Sequence, residues 1–283
     1  MIPDGLEWIE AEKRAVAPLN AGLLSLCVIR KDLMPCLIGT AFIVSAGGNY
    51  ATAISAAHCF EEIRKILRPN ATSHPSTPPE FLSPPRKISF KSVKGIYLKD
   101  GVAHFCDVDI ALWDRKSDLA VLTVLAPNEA TGLFHDTFWI DSCIPDVGDL
   151  VVMIGFGEME TTPDNIKPGQ GIIRRRVVGR VGRVEAMHPK GHSLLQAPCL
   201  ETSIAIFGGM SGGFITRWTG VDTPIQPFAL ISHSPEPQPV YDQSVSGHSV
   251  GAILNTKITP TGHKKQMVSF LVDNMGELQV SQP

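Results

Sequence analysis

This 283-residue chain contains a histidine, an aspartate and a serine in motifs that suit nucleophilic acyl transfer. His58 lies in the motif SAAHC, which follows the apolar stretch GTAFIV. Asp118 heads the apolar stretch LAVL, and Ser211 lies in the motif FGGMSGGF. A serine hydroxyl becomes a strong nucleophile when a base accepts its proton, and a buried carboxylate can orient that base. The three residues therefore predict a serine nucleophile, a histidine base and an orienting aspartate.

Four glycines surround Ser211 and expose its hydroxyl, since a chain without Cβ atoms can make a tight turn there. They also allow the N–H groups of Gly209 and Ser211 to point at one developing oxyanion. A glycine-rich loop alone is equally consistent with an ordinary turn. The joint occurrence with the motifs of His58 and Asp118 makes the catalytic interpretation the stronger one.

In sequence order, the motifs resemble those of trypsin-like serine peptidases of the chymotrypsin fold, closest to the HtrA-type branch. The matching segments are GTAFIVS, SAAHC, SDLAVL, GDLVVMIGFG and GGMSGGF. The resemblance runs from about Ala17 to about Asn255 and covers most of the chain. It implies a serine endopeptidase that hydrolyses peptide bonds of a polypeptide substrate through an acyl-enzyme, without a metal or an organic cofactor.

The same resemblance assigns a role to each candidate residue. His58 would be the general base, Asp118 its orienting carboxylate, and Ser211 the nucleophile. The amides of Gly209 and Ser211 would form the oxyanion hole. Asp109 is a competing acid because it begins DIAL, but Asp118 is preferred because members of this branch carry a further acid four positions upstream, here Asp114.

The chain departs from the secreted members of this family at two places. Met210 occupies the position of the aspartate that binds the new N-terminus after zymogen cleavage, so activation by such cleavage is not expected. Ile38 stands where those members have the cysteine that pairs with the one after the histidine, so Cys59 lacks that partner. This agrees with a reducing compartment, although a bridge between Cys36 and Cys59 stays open.

The resemblance also predicts a substrate pocket. The residue six positions before the nucleophile, Ala205, would form the floor of the primary specificity pocket, and small or medium apolar side chains would fit there. The strand 229–233, with Ser232 and His233, would line the pocket and pair with the substrate backbone.

The elements that must position these residues are mainly β-strands. Glycine (25) and proline (22) are frequent and charged residues make up only 19% of the chain, which disfavours a helical bundle. Short apolar segments separated by turn residues predict an all-β fold. The predicted segments are 23–30, 37–45, 50–56, 87–97, 102–112, 118–125, 149–156, 171–186, 193–197, 212–217, 227–232 and 249–254.

From this pattern and the resemblance we expect two six-stranded antiparallel β-barrels with short N- and C-terminal helices. The predicted domains are an N-terminal helical extension (1–20), a first barrel with His58 and Asp118 (21–130), a second barrel with Ser211 (131–258), and a C-terminal helix and tail (259–283). Periodic apolar residues place the helices at 5–17 and 262–275. The Pro- and Ser-rich segment 69–86 is predicted to be an exposed loop.

Composition and charge exclude several classes of partner. A net charge of −3 gives no general basis for nucleic-acid binding. No signal peptide or membrane-spanning segment is predicted, so the expected location is the cytoplasm. The six cysteines form no CxxC pair, which favours buried thiols over a metal site. The basic stretch 174–183, which includes Arg174, Arg175, Arg176, Arg180 and Arg183, is either a solvated strand face or a docking patch.

Two other functions remain alternatives at this point. One is a catalytically silent binding module with the same fold, which would not need all the motifs around Ser211. The other is an effector or sensor whose peptidase activity depends on a regulatory protein partner. About 28 residues follow Asn255, too few for the PDZ domain that HtrA-type peptidases usually carry.

Overall fold

The computed structural model describes most of the central part of the chain. The described residues are 8–9, 22–29, 35–61, 63, 86–88, 92–100, 102–141, 143–163, 171–218, 225–233 and 248–254.

Fourteen strands and one short helix make up the described structure. In chain order they are β1 (Trp8–Ile9), β2 (Leu23–Ile29), β3 (Pro35–Ala46), β4 (Tyr50–Ala56), α1 (Ala57–Glu61), β5 (Arg86–Ile88), β6 (Val93–Lys99), β7 (Val102–Asp114), β8 (Leu119–Leu125), β9 (Leu150–Pro163), β10 (Gly171–His188), β11 (Cys199–Thr202), β12 (Phe214–Arg217), β13 (Pro227–His233) and β14 (Ser249–Ile253).

These strands close into two antiparallel barrels of six strands each. In the first, the order β7-β6-β2-β3-β4-β8 is closed by pairing of β8 with β7. In the second, the order β10-β11-β14-β13-β12-β9 is closed by pairing of β9 with β10. β5 and β1 each add a strand to one barrel, on β7 and β10. The expected all-β fold with two six-stranded barrels is confirmed.

The local predictions hold for most strands and fail at a few places. The segment 87–97 is two strands, β5 and β6, rather than one. The segment 193–197 is not a strand, since its backbone makes only an isolated bridge between His192 and Leu195, and the strand of this region is β11. Local apolar character could not distinguish these cases, because Leu195 is buried by tertiary packing without belonging to a ladder.

The predicted terminal helices fall largely outside the described residues. Of the segment 5–17, the structure describes Trp8 and Ile9, which pair as a strand with Arg180 and Gly179, so the helix is wrong at these two positions. The segment 262–275 and most of the loop 69–86 lie outside the described part. A short helix that the sequence did not predict, α1, follows β4 and carries His58.

Three aromatic rings pack where the two barrels meet. Phe42 of β3 and Phe214 of β12 are fully buried with ring centroids 5.4 Å apart, in an edge-to-face arrangement. The ring of Phe138, from the segment between the barrels, lies 4.8 Å from that of Phe214. Edge-to-face pairs add about 0.5–1.5 kcal/mol beyond their buried area, so this contact stabilises the barrel junction.

The hydroxyl of Thr40 on β3 joins the same two barrels by hydrogen bonds. It donates to the carbonyl of Gly209 (2.7 Å) and accepts from the N–H of Phe156 on β9 (2.9 Å). The N–H of Thr40 donates to the carbonyl of Ser211 (2.8 Å), and its carbonyl accepts from the hydroxyl of Ser55 (2.7 Å). Thr40 is fully buried, so these polar groups have no ready substitute partner in water.

We expect the Thr40→Val variant to be less stable than the wild type. Valine keeps the shape of threonine but leaves the N–H of Phe156 and the carbonyl of Gly209 without their partner, at about 1–3 kcal/mol for each unsatisfied group. Urea denaturation of the variant and the wild type measures the loss in free energy of unfolding. The control is Thr123→Val on β8, whose side chain is partly exposed; equal losses in the two variants would contradict the role assigned to the Thr40 hydroxyl.

Candidate active site

Asp118 is held to the start of α1 by three hydrogen bonds at one end of the first barrel, two of them with His58 and one with Ala57. The carbonyl of Asp118 accepts from the N–H of Ala57 (3.0 Å), and its Oδ1 accepts from the N–H of His58 (2.9 Å). The second carboxylate oxygen, Oδ2, lies 2.8 Å from Nδ1 of the His58 ring. The carboxylate therefore fixes both the first turn of α1 and the orientation of the imidazole.

A tight turn delivers Asp118 to this position. The carboxylate of Asp114 accepts from the N–H (3.1 Å) and the hydroxyl (2.7 Å) of Ser117, which holds the turn 115–118 at the end of β7. Asp118 itself has a φ of 51°, in the left-handed region that aspartate tolerates better than most residues. The Asp118 side chain is 4% exposed, so its carboxylate is shielded from water.

The loop of Ser211 lies in the second barrel and approaches β3 closely. The N–H of Met210 donates to the carbonyl of Phe207 (3.1 Å), and Gly209 between them has a φ of 94°, as in a type II turn. A Cβ atom on Gly212 would lie 2.1 Å from the carbonyl oxygen of Thr40. Position 212 therefore requires glycine for the loop to reach the first barrel.

The N–H groups of this loop divide into two sets. Those of Met210, Gly212 and Gly213 donate to carbonyls of Phe207, Ile231 and Met210, respectively. The N–H groups of Gly209 and Ser211 make no hydrogen bond within the described part of the chain. The two free donors are those that the sequence assigned to an oxyanion hole, and backbone donors of this kind stabilise a developing negative charge.

The hydroxyl of Ser211 donates to the carbonyl of Ser232 at 3.5 Å. Within the described residues it makes no hydrogen bond with His58. Nucleophile-to-base hydrogen bonds are often long in the absence of substrate and shorten when the substrate binds. In this structure the Ser211 hydroxyl is therefore directed to the carbonyl of Ser232.

Ser232 and His233 extend the hydrogen-bond chain beyond Asp118. The hydroxyl of Ser232 lies 2.5 Å from Oδ2 of Asp118 and 2.5 Å from Nδ1 of His233. A hydroxyl has one proton, so if it donates to the carboxylate, it accepts from an N–H at Nδ1 of His233. The sequence assigned both residues to substrate binding, and the structure adds a contact of the buried Ser232 hydroxyl with the Asp118 carboxylate.

The His233 ring lies beside the His58 ring, with centroids 4.8 Å apart. Nδ1 of His233 is 3.5 Å from Oδ2 of Asp118. The imidazole rings of His58 and His233 therefore both contact the buried carboxylate of Asp118. No local sequence pattern indicated this pair, because the residues are far apart in the chain and meet only through the packing of the two barrels.

Ala205 lies next to a buried cation. Its carbonyl accepts from Nη1 of Arg180 (2.5 Å), and the Arg180 guanidinium stacks over the ring of Phe207 at 4.9 Å. Arg180 is 5% exposed, so it is not part of a solvated basic face or a docking patch, as the sequence had suggested for 174–183. The Arg180 side chain instead supports the segment that leads into the Ser211 loop.

The structure also places the alternative acid Asp109 and the two cysteines that the sequence left as a possible disulfide. Asp109 is exposed on β7 and makes no hydrogen bond with His58 within the described residues. Cys36 and Cys59 are both free thiols, so the bridge that the sequence left open is absent. The Sγ atom of Cys59 faces the carbonyl of Ser211 at 3.8 Å.

The environment shifts the pKa values of His58 and Asp118 in opposite directions. Burial lowers the pKa of the His58 imidazole, but hydrogen bonding to Asp118 and to Cys59 and the charge of Asp118 together outweigh burial, and the net pKa is raised. Burial raises the pKa of the Asp118 carboxyl, whereas hydrogen bonds from His58 and Ser232 lower it, and the net pKa is lowered. Each group thus stabilises the charged form of the other.

These shifts set the pH range in which the pair stabilises the fold. The contribution from His58 is complete below the ordinary histidine pKa of about 6.5 and is lost as the pH rises through its raised pKa. The contribution from Asp118 is complete above the ordinary aspartate pKa of about 3.9 and is lost as the pH falls through its lowered pKa. Both contributions are complete between these two values.

Two clusters among the described residues bring three potential metal ligands within 4.8 Å of one another. One is the group just described, His58, Asp118 and His233. The other is His188, His192 and Glu201, on the second barrel. Within the described residues, no helix has the length and apolar character needed to cross a membrane.

No family model and no curated protein matches this sequence. Solved structures do match the fold. The active form of the Rv3671c protease from M. tuberculosis has a TM-score of 0.52 and 12% identity, over 100% of this chain and 92% of that chain. An inactive serine-to-alanine mutant of Rv3671c has a TM-score of 0.51 and 13% identity, over 97% and 98%.

A further inactive form of the Rv3671c protease has a TM-score of 0.50 and 13% identity, over 98% of this chain and 100% of that chain. At such identities the likeness concerns the fold alone. Together with the two closed barrels, it shows that the chain has a chymotrypsin-like fold.

We expect the Asp118→Asn variant to lower the pKa of His58 to about 6.5 or below, because the anion that raises it is lost while burial still opposes the charge. An NMR titration of the labelled imidazole measures this pKa. The matched control is Asp109→Asn, an exposed acid on β7, which should leave it unchanged. The reverse pattern would mean that the wrong aspartate has been assigned to His58.

Proposed function

We propose that this chain is a serine endopeptidase in which Ser211 is the nucleophile, His58 the general base and Asp118 the orienting acid. The observation that carries the proposal is the buried contact between Asp118 and Nδ1 of His58 beside a loop that leaves the N–H groups of Gly209 and Ser211 free. The proposal also agrees with structural neighbours whose names describe a protease, one inactive form of which is a serine-to-alanine mutant. The HtrA-type branch is part of the proposal.

The proposed reaction follows from the chemistry of these groups. Because Nδ1 of His58 is bound to Asp118, Nε2 is the ring atom that accepts the proton of the Ser211 hydroxyl. The Ser211 oxygen attacks the scissile carbonyl carbon, and the carbonyl oxygen becomes the oxyanion. His58 then donates its proton to the leaving amine, which departs and leaves an acyl-enzyme. A water molecule, deprotonated in the same way, hydrolyses the ester and restores Ser211.

The contact of His58 with Asp118 supports its role as the base. A buried Asp118 carboxylate stabilises the imidazolium that forms when Ser211 loses its proton, so the charge separation of the attack becomes less costly. Each backbone donor of the oxyanion hole, from Gly209 and Ser211, would add about 2.7–4 kcal/mol of transition-state stabilisation.

The proposed specificity pocket has Ala205 at its floor and accepts small or medium apolar side chains. Ala205 offers no carboxylate to a basic side chain. The Arg180 guanidinium, which donates a hydrogen bond to the carbonyl of Ala205, adds a positive charge behind this floor. This charge repels a lysine or arginine side chain of the substrate.

The Ser211→Ala variant should lose labelling by a fluorophosphonate probe that the wild-type chain gains. The probe reacts with an activated serine hydroxyl, so labelling requires Ser211, its base and the oxyanion donors together. Gel fluorescence after incubation with the probe measures it. Labelling should persist in Ser193→Ala, which removes an exposed serine from another loop.

Absence of labelling in the folded wild-type chain, with folding checked by circular dichroism, would overturn the proposal. It would favour either the catalytically silent binding module or an effector that requires a protein partner. Equal labelling of wild type and Ser211→Ala would show that another residue reacts.

A peptide library should show cleavage after small or medium apolar residues and little cleavage after lysine or arginine. The physical reason is the apolar floor at Ala205 with Arg180 behind it. Mass spectrometry of the products gives the cleavage positions. Cleavage mainly after arginine would contradict the assigned pocket while leaving the nucleophile assignment intact.

A further inference from the structure

Two histidines and a glutamate form a cluster on the hairpin between β10 and β11, outside the candidate active site. Nε2 of His188 lies 3.2 Å and Nε2 of His192 lies 3.0 Å from the same oxygen, Oε1 of Glu201. The two rings have centroids 5.0 Å apart. Their side chains are 21–27% exposed, so solvent reaches the cluster while the protein surrounds most of it.

The backbone places these three side chains together. His188 is the last residue of β10, and its carbonyl accepts from the N–H of Gly191 (3.1 Å), which closes the turn. His192 pairs with Leu195 through two backbone hydrogen bonds of 2.7 and 3.1 Å, and Leu195 is anchored in the core. Glu201 on β11 lies opposite Ala186, two residues before His188, so Glu201 and His188 share one face of the sheet.

One ring nitrogen of His188 lacks a hydrogen-bond partner in this arrangement. Nε2 of His188 is buried and has no hydrogen-bond partner within the described residues, despite its short distance to Glu201. A buried polar atom without a partner costs about 1–3 kcal/mol. A cation held between this nitrogen and the carboxylate would satisfy both atoms at once.

We propose that His188, His192 and Glu201 bind a divalent transition-metal ion of the zinc type, with solvent completing its coordination. Zinc is bound by imidazole nitrogen and carboxylate oxygen at about 2.0–2.2 Å, which places neighbouring ligand atoms of a tetrahedron roughly 3.3 Å apart. The observed separations of 3.0 and 3.2 Å are close to that value. The spacing of His188 and His192, with three residues between them, is also within the range found for zinc ligands.

Binding requires a change of tautomer at His192. In the structure, Nδ1 of His192 accepts from the N–H of Leu194 at 3.3 Å, so the ring proton is on Nε2 and faces Glu201. When the metal takes Nε2, that proton leaves to solvent and Nδ1 takes up another, with no net change in charge; the hydrogen bond from the N–H of Leu194 to Nδ1 is broken, and this exposed N–H binds solvent instead. The hydroxyl of Ser193, 3.4 Å from Nδ1, is then available as its acceptor.

The site would have a structural role that is independent of the proposed hydrolysis. The metal would tie the end of β10 to β11, and β11 leads directly into the segment that carries Ala205 and Gly209. Stabilising this hairpin would therefore restrict the motion of the segment that forms the pocket floor.

Calorimetric titration with Zn²⁺ tests the proposal in a His233→Phe background, which removes the other three-ligand cluster of the described residues. We expect one Zn²⁺ per chain and a rise in melting temperature, whereas Mg²⁺, which prefers oxygen ligands, should have neither effect. His192→Gln and Glu201→Gln should each weaken Zn²⁺ binding at least tenfold and abolish the rise. His135→Gln, which removes an exposed histidine elsewhere, is the matched control and should bind as the parent does.

Absence of Zn²⁺ binding in the folded parent would overturn the proposal, and so would binding that survives both His192→Gln and Glu201→Gln. If either variant fails to fold, as judged by circular dichroism, His188→Gln replaces it, since it removes the nitrogen that has no partner. None of these measurements depends on peptidase activity, so a failed metal site and a failed peptidase assignment are distinguishable.

Discussion

The hydroxyl of Thr40, on β3 of the first barrel, satisfies buried backbone groups of the second barrel, and the arrangement of the candidate active site depends on this contact. It donates to Gly209 and accepts from Phe156, while the Thr40 N–H donates to Ser211. The two barrels carry different parts of the candidate active site, so these bonds fix the distance between its halves. Gly212 permits the approach, because any side chain there would overlap the Thr40 carbonyl.

A single buried carboxylate organises the polar groups on the other side of this junction. Asp118 accepts from the backbone and ring of His58 and from the hydroxyl of Ser232, which in turn contacts His233. A buried charge is costly unless it is paired and hydrogen-bonded, and here several donors from both barrels compensate it. The same donors lower the pKa of Asp118 and favour its charged form beside His58.

The cation of Arg180 shows how tertiary packing changes the meaning of a sequence pattern. The stretch 174–183 contains several arginines, which locally indicates a charged surface. The structure instead buries the Arg180 side chain against the carbonyl of Ala205 and the ring of Phe207. The pairing of β1 with β10 at Arg180 belongs to the same region. It could not be predicted from the sequence either, because a two-residue strand has no periodicity to detect.

The sequence by itself determined the all-β class, most of the strands and the three motifs around His58, Asp118 and Ser211, because alternating apolar residues and glycine-rich turns are local signals. The tertiary structure decided which groups meet. It brought the Ser232 hydroxyl to the Asp118 carboxylate, paired the His233 ring with that of His58, and gathered His188 and His192 around Glu201. These contacts join distant parts of the chain, so their geometry follows from barrel closure and not from the local pattern of residues.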